Sequence, residues 1–406
     1  MSVRRFRYLI FLKDVLALSL TAFGGPQAHI AHFQKRLVEK RGYLTEHELN
    51  ELYALGQVLP GPTSTQTLSA IGYRLGGSRL AYLTLLVWSL PSVAIMTTAG
   101  ILIGHYEARK LQLEFTRYLQ PMAVGFVAYA AWSIIQKTIN TKSGVGIMAG
   151  AAVAAFFIKS PWVFPLILVI AGGLTAIKFR DQPKETRRPA DIKWSNLWLW
   201  AGVLVLAAVL GSVTKVLPIK LFENFYRNGS LVFGGGQVLT PMLYTEFVQY
   251  AKPVTEGLAR PYVNTAEFLS GLALVQALPG PLFSFSAYLG ALAMHSRGFG
   301  VAGELTGAIF SAAGVFLPGT FLIFFMIRVW DRLKTYRPIR ASLEGISAAN
   351  AGLVAAAALL LFLPLDKTLL NFGFTLGTFC VLAFTRFPSW LLIPIGLLLG
   401  LVFKPH

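Results

Sequence analysis

The sequence predicts an all-α membrane protein that crosses the bilayer many times. Of its 406 residues, 55% are hydrophobic and only 13% are charged, whereas soluble domains usually carry about 25% charged residues. Apolar runs such as residues 80–104, 197–217 and 348–365 reach the roughly 20 residues that a helix needs to cross the hydrocarbon core. A buried soluble core would explain one such run, but not their recurrence along the chain.

The formal net charge is +18, but its distribution argues against nucleic acid as a partner. The basic residues lie mainly between the apolar segments and do not form one stripe with interleaved aromatic residues. Cytoplasmic loops of membrane proteins carry this kind of Lys/Arg excess. The charge therefore indicates a lipid bilayer as the surroundings and only weakly favours an anionic substrate.

Composition also predicts a protein without a metal or cofactor that is not an enzyme. The six histidines and the single cysteine, Cys380, do not have the spacing of a zinc site. A membrane-embedded transferase would need clustered acids, and the sequence has no such cluster. The basic N-terminus resembles a signal peptide, but Lys13 and Asp14 interrupt its apolar stretch. We therefore interpret it as a retained first membrane element.

Two halves of the chain repeat one ordered set of motifs. The sequence Phe23-Gly24-Gly25-Pro26-Gln27 recurs as Phe233-Gly234-Gly235-Gly236-Gln237, and Pro60-Gly61-Pro62 recurs as Pro279-Gly280-Pro281. We call these the FGG and PGP breaks. Glu48 likewise matches Glu267, Leu90-Pro91 matches Leu317-Pro318, and Gly125 matches Gly352. The preserved order predicts a duplicated architecture.

The repeat divides the chain into residues 1–177, residues 178–218 and residues 219–406. The middle part combines a basic cytoplasmic linker with one connecting span. Four apolar segments follow each PGP break, so five crossings with the connecting span would invert the second repeat relative to the first. We expect two inverted-topology repeats with about nine full spans and four broken or re-entrant helices, thirteen elements in all. Thirteen full crossings are the alternative.

The basic segments set the predicted orientation. Residues 35–41, 178–193 and 328–340 would all face the cytoplasm if the N-terminus is cytoplasmic and the FGG element is re-entrant. The C-terminus would then lie on the opposite side of the inner (plasma) membrane. Inverted repeats are a common plan of secondary transporters, although a channel can share this symmetry.

The breaks are predicted to form a ligand site near the repeat interface. Pro-Gly-Pro disrupts the hydrogen-bond ladder of a helix, and broken backbone at membrane depth needs protein or a water-filled cavity around it. Thr63-Ser64-Thr65-Gln66-Thr67 follow the first PGP break. A helix beginning there would offer free N–H groups and hydroxyls to an anion. The alternatives are a packing kink and ordinary N-capping.

The candidate substrate-binding residues are those of the breaks and the polar residues beside them: Gly24, Gly25, Gln27, Pro60, Gly61, Pro62, Thr63, Ser64, Thr65, Gln66, Gly234, Gly235, Gln237, Pro279, Gly280, Pro281, Ser284 and Ser286. Arg74 and Arg297 could attract the anion or anchor helices at the membrane edge. Glu48 and Glu267 could couple protons or cap their helices, with Thr45-x-x-Glu48 forming a capping box. His29 could carry protons or extend to the interface.

These motifs resemble the chromate ion transporter (CHR) family in its long, two-domain form. The resemblance is carried by FGGPQAHIAHF, YLTEHEL and QVLPGPT in one half and by FGGGQVLTPML and EFLSGLALVQALPGP in the other. It implies efflux of chromate from the cytoplasm, driven by the proton motive force or by exchange, with sulfate as a close mimic. Transport of sulfate or another small anion, with chromate incidental, stays an alternative, as does an anion channel. A homodimer is left open.

Overall fold

A computed structural model describes residues 3–108, 116–158, 160, 162–177, 194–233, 238–249, 261–333 and 337–402. Within these ranges the regular structure is entirely helical, so the predicted all-α class is confirmed. The predicted linker, residues 178–193, lies outside the described residues, as do Gly234, Gly235 and Gln237. The side chain of Gln27 is also outside them.

Half of the helices belong to the first part of the chain. They are α1 (Val3–Thr21), α2 (Gly25–Phe33), which continues as a π-helix (Gln34–Lys40), α3 (Glu46–Val58), α4 (Thr63–Ala108), α5 (Leu119–Thr138), α6 (Lys142–Phe157), α7 (Val163–Ala176) and α8 (Ser195–Thr214). α4 is interrupted at Gly76 and Gly77, where the backbone leaves helical geometry. The short helix predicted after the first PGP break therefore ends there, and the predicted span over residues 80–104 follows it.

The second part repeats this order. It comprises α9 (Leu217–Leu231), α10 (Leu239–Tyr244), which continues as a π-helix (Thr245–Gln249), α11 (Thr265–Gln276), a short 3-10 turn (Leu282–Ser284), α12 (Phe285–His295), α13 (Val301–Leu333), α14 (Arg337–Phe362), α15 (Leu369–Phe384) and α16 (Ser389–Val402). α8 precedes α9 and matches the predicted connecting span. The first FGG break separates α1 from α2, and the PGP breaks end α3 and α11, so helix breaks at these motifs are confirmed.

Apolar surface identifies the chain as a multi-pass membrane protein. Four described helices are long and apolar enough to span a membrane: Thr63–Tyr106, Ser195–Thr214, Val301–Trp330 and Ala341–Phe362. Shorter apolar helices accompany them. Large apolar side chains are exposed along their outer faces; on α8, Trp198 is 71% and Val213 is 74% exposed. Such continuous apolar exposure suits contact with lipid rather than water. The number of crossings stays a prediction.

The chain forms two compact units, and each contains segments of both sequence halves. Unit 1 consists of Met1–Ile101, Ala190–Gly236 and Leu278–Trp330, and unit 2 of Leu102–Pro189, Gln237–Ala277 and Asp331–His406. Unit 1 therefore contains both PGP breaks and the first FGG break. The division into residues 1–177, 178–218 and 219–406 concerns the sequence repeat and remains a prediction.

In unit 2, helices of one sequence half pack against helices of the other half. A side chain added at Gly125 of α5 would lie 2.6 Å from the carbonyl oxygen of Thr375 on α15. At the matching position of α14, Gly352 has the carbonyl oxygen of Met148 on α6 as its nearest contact. Small residues permit such close approach of helices in membranes. Matching glycines thus contact matching helices of the opposite half.

Candidate substrate site

The PGP breaks of unit 1 are joined by backbone hydrogen bonds to the residues that precede the FGG motifs of the opposite half. The N–H of Gly61 donates to the carbonyl oxygen of Val232 at 2.7 Å, and the N–H of Gly280 donates to that of Ala22 at 3.0 Å. Both glycines have positive φ, 123° and 93°, which L-residues rarely adopt. Each break is therefore held by the other half of the chain.

A second pair of matching contacts joins each PGP break to the opposite half. The contact is made by the long helical segment that follows the short helix of that half. A Cβ added at Gly61 would lie 3.1 Å from Cα of Gly319, and one added at Gly280 would lie 3.3 Å from Oγ of Ser92. Gly319 and Ser92 each come directly after a matching proline, Pro318 of α13 and Pro91 of α4. Matching positions of the two sequence halves thus make matching contacts with each other in unit 1.

The first turn of α4 has the features of a helix N-terminus that can bind an anion. The N–H of Gln66 donates to the carbonyl oxygen of Pro62 at 2.9 Å, so the helix begins directly after the break. The first N–H groups of a helix have no intrahelical acceptors and carry a partial positive charge. Thr63, Ser64 and Thr65 occupy this turn, and all three are buried. An oxyanion is the ligand that such a turn binds most readily.

Two hydroxyls of this turn are held by aromatic residues. Oγ of Ser64 lies 3.0 Å from Nδ1 of His29, and Nε1 of Trp88 donates to Oγ1 of Thr65 at 3.1 Å. His29 and Trp88 also contact each other edge-to-face, with ring centroids 5.3 Å apart. These bonds orient the Ser64 and Thr65 side chains around the start of α4.

The remaining polar atoms of this turn include two that have no hydrogen-bond partner in the described part of the chain. Thr67 Oγ1 donates to the carbonyl oxygen of Thr63 at 2.8 Å. Thr63 Oγ1 and Gln66 Oε1, by contrast, are buried and have no hydrogen-bond partner among the described residues. Buried polar groups are nearly always paired, and leaving one unpaired costs about 1–3 kcal/mol. The two atoms therefore point to a ligand at the first turn of α4.

The second PGP break makes a matching backbone hydrogen bond to the opposite half but has less polar chemistry. Ser286 Oγ donates to the carbonyl oxygen of Phe283 at 2.8 Å, while Ser284 Oγ is buried without a partner in the described part of the chain. Where the first half has His29, Ser64 and Trp88, matching positions of the second half hold the buried, apolar residues Leu239, Phe283 and Val315. The polar groups are thus concentrated at the first break.

His29 is a buried residue of this site, 1% exposed. The alternative that it extends to the membrane interface is therefore wrong. The hydrogen bond to Ser64 and the stacking against Phe33 fix its ring beside α4. Its Nε2 is buried without a well-formed hydrogen bond among the described atoms, although the backbone of Ala22 lies close to the ring.

Glu48 and Glu267 both form complete capping boxes. Glu48 Oε2 accepts from the N–H of Thr45 at 2.8 Å, while the Thr45 hydroxyl accepts from the N–H of Glu48 at 3.2 Å. Asn264 and Glu267 make the same two bonds at 2.7 Å and 2.8 Å. These hydrogen bonds hold the pKa of Glu48 below its usual value. The cap therefore stabilises the fold at neutral pH, and this contribution is lost as the pH falls through the lowered pKa.

Changing Glu48 or Glu267 to Gln is expected to leave transport nearly unchanged and to lower stability only slightly, because the capping geometry is kept while the charge is lost. A glutamine can keep the capping box because its side-chain oxygen still accepts from the backbone. Glu48→Ala should lower the free energy of unfolding by about 0.5–2 kcal/mol. Thermal unfolding in detergent and anion uptake into vesicles would measure both effects. Loss of concentrative uptake by a stable Glu→Gln variant would instead assign proton coupling to that glutamate.

The other candidates have diverse surroundings. Arg74 forms an ion pair with Glu48, with Nη1 and Oε1 3.1 Å apart and both side chains partly exposed. It therefore ties the short helix of α4 to the start of α3. Arg297 lies in the turn between α12 and α13. Gly24 and Gly25 form the turn before α2 with positive φ.

Asp14 is a buried charge that the sequence patterns left without a role. It is 1% exposed and accepts hydrogen bonds from Arg36, Arg41 and Tyr43 at 3.0, 2.8 and 2.8 Å. An acid within an apolar helix is costly and is usually paired. The position of Asp14 in the sequence could therefore have predicted a partner. This network fastens α1 to the segment after the FGG break. Trp88 was missed as well, because a tryptophan in an apolar span gives no distinguishing signal.

Comparison with known proteins identifies the chain's relatives. A sequence profile of the chromate transporter family matches residues 9–177 and 219–401. The chain belongs to the chromate transporter family. It is therefore a transporter rather than an enzyme, and membership supports a role in chromate transport.

Individual relatives cover one or both halves. An uncharacterized transporter of Methanocaldococcus jannaschii is 24% identical over 97% of this chain and 92% of its own length. The chromate transport protein of Pseudomonas aeruginosa is 28% identical, covering 84% of this chain and 78% of its own. The uncharacterized transporter YwrB of Bacillus subtilis is 29% identical over 43% of this chain and 89% of its own. No solved structure matches the chain.

Proposed function

We propose that this protein is a secondary transporter that exports chromate from the cytoplasm, driven by the proton motive force or by anion exchange. The observation that carries the proposal is the first turn of α4, where the buried Thr63 hydroxyl has no partner among the described residues. Neutral hydroxyls and helix N–H groups bind the oxygens of a tetrahedral anion without placing a cation in the membrane. The family relationship supports chromate as that anion.

The proposed transport unit is a pair of inverted repeats, residues 1–177 and 219–406, joined by the linker and span of residues 178–218. The reciprocal bonds of Gly61 with Val232 and of Gly280 with Ala22 support this arrangement, as do the matching contacts of Gly125 and Gly352. Inverted repeats place discontinuous helices around a substrate site near the midplane. The N-terminus would be cytoplasmic and the C-terminus on the opposite side of the inner membrane.

Sulfate is the second candidate substrate. It has the same tetrahedral arrangement of oxygens, so hydroxyl and N–H donors that fit chromate fit sulfate as well. If these donors alone selected the substrate, the protein would bind both chromate and sulfate.

Uptake of radiolabelled chromate and sulfate into proteoliposomes, with and without a pH gradient, tests the proposal. We expect saturable chromate flux that a pH gradient or a counter-anion drives uphill. Empty liposomes are the control. Absence of saturable flux for either anion would reject the proposal, and flux that never becomes concentrative would favour a channel.

A further inference from the structure

The Gln66 amide presents a fixed, unused hydrogen-bond acceptor at the proposed site. Its Nε2 donates to the carbonyl oxygens of Pro60 at 2.7 Å and Gly319 at 3.2 Å. Turning the amide over would set its oxygen against two other acceptors, so the orientation follows from the hydrogen bonds. Oε1 is left buried without a partner among the described residues. This atom can accept a hydrogen bond but cannot donate one.

An acceptor is an unfavourable neighbour for a fully ionised oxyanion. An anion without hydrogen offers only lone pairs to Gln66 Oε1, so the two oxygens repel each other. A protonated oxyanion carries one O–H, which can donate to Oε1 while its other oxygens accept from the first turn of α4. Pairing a buried polar atom in this way removes the penalty of leaving it unsatisfied.

The charges of the buried side chains also favour the protonated, monovalent oxyanion. The buried polar side chains of the described residues include hydroxyls, amides, His29 and three acids, but no lysine or arginine. The cost of moving an ion from water into a low-dielectric site rises steeply with its charge. A site with neutral donors therefore binds a monovalent anion better than a divalent one.

We propose that the first turn of α4 selects the singly protonated, monovalent form of its oxyanion, whose hydroxyl donates to Gln66 Oε1. The proposal rests on the proposed function and specifies which form of the substrate is bound. Each exported anion then carries one proton and one negative charge outward, so the membrane potential of the proton motive force, negative inside, drives export while the pH gradient opposes it. Chromate takes up its first proton close to neutral pH, whereas sulfate does so only in strong acid. The site would thus separate two anions of the same shape by their protonation.

An effect of pH on side chains near the site must be distinguished from protonation of the substrate itself. His29 of α2 is hydrogen-bonded to this turn through Ser64. Of the other groups on the neighbouring helices, Glu48 of α3 pairs with Arg74 of α4, and Arg328 of α13 donates to Tyr73 of α4 at 3.2 Å through Nε. Glu304, at the start of α13, is hydrogen-bonded to His295. His29→Gln removes the titratable side chain nearest to this turn and keeps a side-chain amide near Ser64.

The test measures the apparent KM for total chromate in proteoliposomes at equal pH on both sides. Above the pKa of hydrogen chromate, we expect the KM to fall about tenfold for each unit that the pH falls, because the protonated fraction rises by that factor. His29→Gln should retain this dependence. Gln66→Met, which removes the acceptor, should weaken the dependence of the KM on pH. The thermal unfolding midpoint of this variant reports any loss of the bonds to Pro60 and Gly319.

Competition by perchlorate provides a second readout. Perchlorate is a tetrahedral monovalent anion without a hydroxyl, so it should compete about tenfold more weakly than hydrogen chromate binds. Gln66→Met should narrow that difference. A KM independent of pH, or loss of the pH dependence in His29→Gln, would overturn this inference while leaving chromate transport in place. Absence of saturable flux at every pH would overturn the proposed function as well.

Discussion

Gly61→Ala is expected to destabilise the protein and abolish chromate transport. The positive φ of Gly61, 123°, costs an alanine about 1–3 kcal/mol. The added Cβ would also lie 2.8 Å from Gln66 Nε2 and 3.1 Å from Gly319 Cα, and overpacking of this kind adds about 1–3 kcal/mol. Because Gln66 is held by two carbonyl oxygens, it cannot move aside without losing those bonds.

Gly77→Ala is the matched control for this substitution. Gly77 also has positive φ, 73°, but nothing lies within 4 Å of an added Cβ. It should therefore show the backbone cost alone and keep substantial transport. Thermal unfolding in detergent and chromate uptake in proteoliposomes distinguish the two variants. Equal unfolding midpoints and equal uptake would show that the contact between the first PGP break and α13 is unimportant.

Thr63→Val is expected to weaken chromate transport without weakening the fold. The substitution keeps the shape of the side chain and removes a hydroxyl that has no protein partner in the described chain. A hydrogen bond to a charged ligand contributes about 1.5–3 kcal/mol, so the KM should rise about ten- to a hundredfold. Removing an unpaired buried hydroxyl should leave the unfolding midpoint unchanged or raise it.

Thr67→Val is the control one turn along the same helix. Its hydroxyl already donates to the carbonyl oxygen of Thr63, so its loss should lower stability by about 0.5–1.5 kcal/mol and leave the KM near that of the wild type. The two variants thus have opposite expected effects. An unchanged KM in Thr63→Val would remove the first turn of α4 from the substrate site.

The sequence could predict the helix breaks because glycine and proline act locally. Pro60-Gly61-Pro62 cannot continue a helix, and the threonine and serine residues after it are visible as a polar run. The capping box of Thr45 and Glu48 was also readable from its spacing. Asn264 and Glu267 have the same spacing, but the sequence interpretation applied the motif only to the first half.

The partners of the breaks could not be predicted in the same way. The bonds of Gly61 to Val232 and of Gln66 to Gly319 join residues far apart in sequence, so they depend on how whole helices pack. The difference between Thr63 and Thr67 is likewise invisible in the sequence, since both are threonines in one polar run. Only the structure distinguishes a hydroxyl bonded within the helix from one available to a ligand.

The most direct test is an experimental structure of the protein with chromate, in which the anomalous scattering of chromium locates the anion. The central claim predicts one chromium peak at the first turn of α4, with a chromate oxygen within hydrogen-bond distance of Thr63 Oγ1. The peak should be lost in crystals of Thr63→Val at the same chromate concentration. A strong chromium peak elsewhere, with none at this turn, would contradict the claim.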